Sequence, residues 1–272
     1  MDDTNRFDTA DTLSPQPPTA TCGIAIMAKA SAPGRTKTRL VPPLTVDEAA
    51  ALNTAFLQDI ANNLLRAARH RSITGYVAFA PRGSEDFFRA ILPEAIGLID
   101  ACLPTLGECL WRTVEGLLGR GHRSAVVLNS DSPTLPTALL VETAERLAEP
   151  GERVVLGPCS DGGYYLLGLK TAHRRLFEDI AWSTERVAEQ TRERAREIML
   201  DVHMLPVWYD VDDSDSLHRL RREMERVRTA RHEPDPREPN FPAATAALIE
   251  RLCAGGELDR RVDVMQLAAG GA

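Results

Sequence analysis

The stretch AVVLNSDSPTLP, residues 125–136, shows how the chain is expected to fold. Its first four residues form an apolar run, which is typical of a strand buried on both faces of a parallel sheet. Asp131 lies three residues after that run, and Pro133 and Pro136 stiffen the turn that follows. Ligands of open parallel sheets bind at the carboxyl ends of the strands, so the pattern predicts a ligand-facing carboxylate here.

Outward from this stretch, apolar runs and helical patterns alternate along the chain. Thr45 and Glu48 form a capping box, after which apolar residues recur on one helical face. Strands are predicted at 23–28, 76–80, 96–99, 125–128, 154–156, 164–169 (a candidate antiparallel strand) and 204–209. Helices are predicted after Thr45 and at 106–118, 136–147, 185–200, 217–227 and 243–253. The alternation predicts an α/β fold of three layers, α/β/α, around a mostly parallel central sheet.

Composition predicts one catalytic domain with an appendage at each end. The chain has 272 residues, is 43% hydrophobic and 26% charged, and is long enough for a substantial core. Residues 1–20 are polar and rich in proline, so they are interpreted as a disordered tail without the features of a signal peptide. The catalytic domain is expected over 21–230, followed by a Pro-rich linker and a short helix over 231–272.

The charge and the cysteine content limit which partners and which cellular compartment are expected. A net charge of −7 argues against nucleic acid as a partner, although a nucleotide needs only local cations. The five cysteines are odd in number and form no C-x-x-C pair, so neither a disulfide framework nor a structural zinc site is expected. No apolar run is long enough for a membrane span, and the expected location is cytoplasmic.

The segment PGRTKTRL, residues 33–40, places three cations beside a Pro-Gly turn. Arg35 and Arg39 can hold phosphate oxygens in a bidentate manner, and Lys37 adds a point charge. The alternative is a solvated basic loop. The segment lacks the G-x-x-x-x-G-K-[ST] pattern of a Walker A loop.

Two aspartate segments are candidates for metal binding. Asp131 can hold Mg²⁺ or Mn²⁺ through one oxygen, or can cap the helix that follows. In DVDDSDSL, residues 210–217, Asp210 and Asp212 share a face if the strand continues, and one of them is the candidate second ligand. The remaining acidic residues of that run are interpreted as helix caps or solvated surface.

The segment GPCSDGGYYLLGL, residues 157–169, combines an acid with a flexible turn. Gly162 and Gly163 allow positive φ, and Asp161 before them can contact a sugar hydroxyl, a metal-bound water or an acceptor. A plain β-hairpin turn is the alternative, and the favoured interpretation is a turn that also forms a pocket wall. Trp182, before the helix expected to be capped by Ser183 or Thr184, either packs against that helix or stacks on a base or sugar.

In this order the segments resemble a known family over about residues 23–220: the GT-A-like transferases encoded beside radical-SAM or selenium-related genes and called glycosyltransferases. The matching motifs are AK-x-x-x-PGR-x-KTRL, SD-x-P-x-L, GP-x-x-DGGYYLLGL, WST and DVD-x-x-x-x-L. That family is similar to 2-phospho-lactate guanylyltransferase and, more distantly, to molybdenum-cofactor guanylyltransferase. The resemblance implies a nucleotide-diphospho-sugar-transferase fold.

The resemblance also implies roles for residues by position. Metal binding would fall to Asp131 and Asp212, and Arg35, Lys37, Asp131 and Asp161 would be the catalytic group. The nucleotide and its phosphates would contact Ala28, Lys29, Gly34, Arg35, Lys37, Arg39 and Ser130, and the acceptor would contact Asp161, Gly162, Gly163 and Trp182.

Three positions depart from the family pattern. Asn129 stands where a glycine is usual before Ser-Asp, and Thr105 and Cys109 replace the Asp and Arg of a DLGER segment. If that Arg helps to bind substrate, the acceptor or the base differs in this chain.

Three functions are compatible with these observations. The first is a metal-dependent nucleotidyltransferase, in which a phosphate or phosphonate oxygen of a small acceptor attacks the α-phosphate of an NTP and pyrophosphate leaves. The second is a glycosyltransferase that uses a nucleotide sugar and a carboxylate base. The third is a non-catalytic nucleotide binder that kept the fold. The base, the acceptor and the assembly state stay open, with a homodimer as one alternative.

Overall fold

A computed structural model describes residues 21–229 and 235–254, together with residues 256, 258, 260 and 261. The predicted tail, residues 1–20, lies outside the described residues, as does part of the predicted linker and C-terminal segment. Among the described residues, seven strands form one sheet in the order β3-β2-β1-β4-β6-β5-β7. They are β1 (Cys22–Lys29), β2 (Ile73–Ala80), β3 (Gly97–Asp100), β4 (Ser124–Leu128), β5 (Arg153–Pro158), β6 (Tyr164–Leu169) and β7 (Asp201–Met204).

The sheet is parallel except at β6, which runs antiparallel to both β4 and β5. At the centre, Ile26 of β1 pairs with Val77 on one side and Leu128 on the other. The apolar run of β4 is buried at every position, as its composition predicts. The prediction of a mostly parallel α/β sheet is confirmed, including the antiparallel direction of β6.

Helices cover both faces of the sheet and complete three layers. One apolar cluster joins α1 and α4 to the sheet, and a second joins α3 and α5 to its other face. The described helices are α1 (Val46–Ala67), α2 (Glu85–Ile91), α3 (Leu106–Gly119), α4 (Thr137–Ala148), α5 (Val187–Glu197), α6 (Ser214–Thr229) and α7 (Ala243–Cys253). Not one of these described helices has both the length and the apolar character that crossing a bilayer requires.

The capping box predicted for α1 is present, and the C-terminal helix packs against α1. Thr45 accepts from the Glu48 backbone N–H, and the Glu48 carboxylate accepts from the Thr45 N–H. Farther along α1, the buried carboxylate of Asp59 accepts hydrogen bonds from the backbone N–H groups of Ala244 and Thr245, both at 2.8 Å. Asp59 therefore caps the first turn of α7 and fixes this helix to the main body of the protein.

Several predicted element boundaries differ from the structure, and two of the differences have a clear physical cause. The last strand is Asp201–Met204 rather than 204–209, because Pro206 has no N–H for a ladder and the chain beyond β7 keeps one isolated bridge, between Trp208 and Cys159. The helix predicted from residue 185 begins at Val187 without a side-chain cap. Ser183 has a φ of 64°, outside the extended region that an N-cap residue adopts.

Candidate active site

Four loops converge at one edge of the sheet. The loops after β1, β4 and β7 leave from strand carboxyl ends, and the β5–β6 turn lies at the same edge because β6 is antiparallel. These loops carry the segments that begin at Pro33, Asn129, Cys159 and Leu205. The sheet topology thus brings the predicted cations and carboxylates together, as expected for an open α/β sheet.

Lys37 lies at the centre of this convergence. Its ammonium donates to Asp131 Oδ1 at 2.7 Å, to Asp212 Oδ1 at 2.9 Å and to the Val211 carbonyl oxygen at 2.8 Å. The Lys37 side chain is only 5% exposed, and its backbone is left-handed, with a φ of 52°. Burial lowers the pKa of Lys37, but the two carboxylates outweigh it, so the pKa of this ammonium lies above its usual value.

The other cationic side chains of this region are more exposed to solvent than Lys37. Arg39 donates to Asp212 Oδ2 at 2.5 Å and is 71% exposed. Arg35 and Lys29 are exposed, and neither side chain has a hydrogen bond or ion pair with any described residue. Among the described residues of this edge, two cations without a side-chain partner therefore lie beside a carboxylate pair that Lys37 and Arg39 already neutralise.

A cavity of about 370 Å³ opens beside the cationic loop. It extends from the end of β1 towards the ends of β2 and β3, where Phe79 and Cys109 line it. Its charged lining is mostly basic and consists of Lys29, Arg35, Lys37, Arg39, Asp131 and Asp212. We call this the basic cavity.

A second cavity, of about 540 Å³, adjoins the first on the side of the β5–β6 turn. It shares Arg39, Asp131 and Asp212 with the basic cavity, and Trp182 and Tyr164 form part of its wall. Its charged lining is mostly acidic and consists of Asp131, Asp161, Glu185, Asp210, Asp212 and Arg39. We call this the acidic cavity. The Asp131–Asp212 pair therefore stands at the junction of two cavities of opposite character.

Cys159, Asp161 and Asp210 form a second group of metal-compatible side chains. Their ligand atoms all lie within 4.8 Å of one another. Burial, followed by the charges of Asp161 and Asp212, raises the pKa of Asp210 to about 6. Burial, followed by the Asp210 and Asp161 charges, also raises the pKa of the Cys159 thiol. Burial is the main cause of the raised pKa of Asp210, and the neighbouring carboxylates add to it.

The structure brings most of the predicted nucleotide-contacting residues together. Ala28, Lys29, Arg35, Lys37, Arg39 and Ser130 all line the basic cavity. Gly34 does not line it; this residue supplies the left-handed turn of the loop, with a φ of 70°.

On the predicted acceptor side, Asp161, Gly163 and Trp182 line the acidic cavity. Gly162 does not line it and instead joins the β5–β6 turn to α5. Its φ is 89°, its carbonyl accepts from the Ala188 N–H, and a Cβ there would lie 2.0 Å from the Glu185 carbonyl oxygen.

The three departures from the family pattern have separate structural consequences. Asn129 lines the acidic cavity, and its Oδ1 is buried without a partner among the described residues. Thr105 caps α3 by accepting from the Glu108 N–H. Cys109 lines the basic cavity at its apolar end.

Several site residues were not among the predicted ones. The sequence offers Asp210 only as an alternative to Asp212 and Cys109 only as a departure at a substrate-binding position, and it assigns neither Cys159 nor Tyr164 to the site. The strand-like alternation expected after residue 204 places Asp210 and Asp212 on one face, whereas the structure directs Asp212 to Lys37 and Asp210 to Asp161. The signal that could have indicated Cys159 is its position directly after β5, at the edge where the other site residues lie.

The fold is that of the nucleotide-diphospho-sugar transferases. The chain is similar to a candidate nucleotide-diphospho-sugar transferase from Desulfovibrio desulfuricans G20, with 26% identity, 89% of this chain and 99% of that chain covered, and a TM-score of 0.73. It is also similar in fold to CMP:2-keto-3-deoxy-manno-octonic acid synthetase in complex with CTP, with 12% identity, 76% and 100% coverage, and a TM-score of 0.51. These structural neighbours are transferases.

Within the chain, residues 63–184 match the model of a family described as an uncharacterized protein conserved in bacteria (DUF2064). No protein of curated function matches the sequence.

Proposed function

We propose that the protein is a metal-dependent transferase that binds a nucleotide in the basic cavity and transfers part of it to an acceptor in the acidic cavity. The observation that carries the proposal is the meeting of these two cavities at Asp131 and Asp212. A transferase needs a donor site and an acceptor site that meet where the reacting atoms come together, and this arrangement supplies both sites.

The basic cavity suits a nucleotide. Arg35 and Lys29, which have no partner among the described residues, can receive phosphate oxygens without first breaking an ion pair. The apolar end near Phe79 can accept the base. Catalysis by these residues would consist of positioning the phosphates and neutralising the charge that develops on the leaving group.

The carboxylates fit a divalent metal. Oxygens of Asp131 and Asp212 already converge on one ammonium, a stand-in cation, and oxygen ligands are those that Mg²⁺ and Mn²⁺ take. We assign the metal to these two residues; when bound, it would supply Lewis-acid stabilisation of the phosphates. Asp161 lies nearby as the candidate residue for orienting the acceptor.

Nucleotidyl transfer to a phosphate- or phosphonate-bearing acceptor is the first candidate reaction, in keeping with the resemblance to 2-phospho-lactate guanylyltransferase. The concentration of cations on the donor side supports it, because released pyrophosphate carries more charge than any other leaving group considered. The acceptor oxygen would form a bond to the α-phosphorus, the bond from that phosphorus to the bridging oxygen of pyrophosphate would break, and pyrophosphate would leave. No covalent intermediate with the protein is required.

Glycosyl transfer from a nucleotide sugar is the second candidate, and the acidic cavity favours it. An anionic acceptor would meet Asp161, Asp210 and Glu185 there, whereas a neutral sugar hydroxyl would meet hydrogen-bond acceptors. Asp210, with its pKa raised to about 6, is suited to accept a proton from such a hydroxyl near neutral pH.

A thermal-shift panel separates the two reactions. The protein is heated with Mg²⁺ or Mn²⁺ and each NTP, NDP-sugar or plain NDP, since a ligand that binds only the folded state raises the melting temperature. Stabilisation by one NTP above its NDP supports nucleotidyl transfer and identifies the base. Stabilisation by an NDP-sugar above its plain NDP supports glycosyl transfer.

Matched variants test whether the increase in melting temperature depends on the residues of the site. Arg35→Ala and Asp131→Asn should abolish the stabilisation. Arg71→Ala, which breaks an exposed ion pair with Glu145 and lines neither cavity, should keep it. If no nucleotide stabilises the protein with either metal, the proposed function is wrong.

A further inference from the structure

Both oxygens of Asp212 are bound by cationic side chains of the protein itself. Oδ1 accepts from the Lys37 ammonium at 2.9 Å, and Oδ2 accepts from Arg39 at 2.5 Å. The same ammonium holds Asp131 Oδ1 at 2.7 Å. The two proposed metal ligands therefore have a resident counter-ion.

Lys37 and a metal cannot share this position. A Mg²⁺ or Ca²⁺ ion lies about 2.0–2.6 Å from each ligand oxygen, so an ion that bridges the same two oxygens would lie within a few ångström of Nζ. Two cations at that separation repel strongly in a partly buried site. Arg39 differs, because it is exposed and reaches only the outer oxygen of Asp212.

We propose that Lys37 is a displaceable counter-ion, which must leave the Asp131–Asp212 pair before a divalent cation can bridge it and which then contacts the phosphates of the nucleotide. This inference rests on the proposed function and goes beyond it, because it makes metal binding and nucleotide binding depend on one side chain. Lys37 already lines the basic cavity, so the released ammonium can turn towards phosphate without any change of the fold.

The exchange has a consequence for the order of binding. In the free protein, the metal competes with a buried ammonium that uses all three of its donors on Asp131, Asp212 and Val211. Metal binding to the free protein is therefore weakened. A nucleotide offers the displaced ammonium a new anionic partner, so nucleotide and metal each favour the binding of the other.

The first test measures Mn²⁺ affinity in the absence of nucleotide, from the electron paramagnetic resonance signal of free Mn²⁺. Lys37→Met should bind Mn²⁺ about tenfold more tightly than the wild-type protein, a typical size for coupling between two ligands. Lys170→Met is the matched control. It also removes a lysine whose ammonium bonds protein atoms, but those atoms are the Glu149 and Gly151 carbonyl oxygens, so its removal should leave the affinity unchanged. Equal or weaker Mn²⁺ binding by Lys37→Met would overturn the proposal.

A second test uses the wild-type protein and keeps the inference falsifiable if Lys37→Met does not fold. Lysine side chains are acetylated in a brief pulse and read by mass spectrometry, with Lys29 as the exposed reference. Lys37 should be protected in chelator and should gain reactivity when Mn²⁺ binds. Unchanged protection of Lys37 with Mn²⁺ bound would mean that the metal lies elsewhere, for example at Cys159, Asp161 and Asp210, and would refute the exchange.

These measurements contain no nucleotide, so their outcome is independent of the proposed transfer reaction. A protein that exchanges Lys37 for Mn²⁺ but binds no nucleotide would contradict the proposed function alone. A protein that binds nucleotide with metal, but whose Lys37→Met variant gains no Mn²⁺ affinity, would contradict the exchange alone.

Discussion

At the scale of individual residues, the cations of the site are distributed unevenly among the carboxylates at the sheet edge. Asp131 and Asp212 are neutralised by Lys37 and Arg39, whereas Asp210 and Asp161 face one another with no cation bonded to either among the described residues. The first pair is compensated by cations of the protein itself. The second carries a cost, caused first by the burial of Asp210 and then by the neighbouring carboxylates, and the raised pKa of Asp210 expresses it.

That cost predicts a pH-dependent gain in stability for Asp210→Asn. The pKa of Asp210 is raised to about 6 in the folded protein from the 3.8 of a free aspartate, so the folded state holds its proton more tightly than the unfolded state. Wild-type stability therefore falls as pH rises through this window. In chelator, Asp210→Asn should raise the free energy of unfolding by about 1–3 kcal/mol near pH 7, with the gain vanishing below about pH 4.

Urea denaturation near pH 7 and below about pH 4 measures the difference in unfolding free energy between Asp210→Asn and the wild-type protein. Asp201→Asn, on the exposed strand β7, is the control and should change the unfolding free energy by less than about 0.5 kcal/mol. A gain for Asp210→Asn that is as large at low pH as at neutral pH would show that its cause is not ionisation.

At the scale of secondary-structure elements, the β5–β6 turn is fixed to α5 by a close backbone approach. Gly162 has a φ of 89°, and a Cβ there would lie 2.0 Å from the Glu185 carbonyl oxygen. Gly121 has a similar φ of 93° but has nothing within 4 Å of the corresponding position. The two glycines differ in their surroundings and hardly at all in backbone conformation.

The difference between Gly162 and Gly121 predicts unequal losses of unfolding free energy when each is replaced by alanine. Gly121→Ala should lower the free energy of unfolding by about 1–2 kcal/mol, the cost of left-handed backbone at a non-glycine residue. Gly162→Ala should cost about 3 kcal/mol or more, because backbone atoms must also move. Denaturant unfolding of both variants gives the comparison, and equal losses would contradict the close approach.

The elements themselves were predictable where one local signal dominates. The apolar run of β4 and the Thr45–Glu48 box of α1 each determine their element, and both are present. The strand predicted at 204–209 failed because burial there, at Leu205 and Tyr209, comes from packing rather than from ladder pairing. Helix α2, with seven residues, is too short for helical periodicity to be detected.

At the scale of the whole molecule, the order of the strands in the sheet determines which residues meet to form the site. Lys37 and Asp212 are 175 residues apart in sequence, and the sheet order brings their loops to one edge. The sequence therefore predicted which segments meet, since strand ends share an edge. It could not predict that Lys37 would face carboxylates, because side-chain pairing depends on loop conformations that no local pattern encodes.

The central claim is that nucleotide and metal meet at the junction of the two cavities. A crystal structure of the protein with Mn²⁺ and the best-binding nucleotide tests it most directly. The account predicts a metal bound by Asp131 and Asp212, phosphates in contact with Arg35 and Lys37, and the base towards Phe79. A nucleotide bound outside the basic cavity, or a metal that does not contact Asp131, would contradict it.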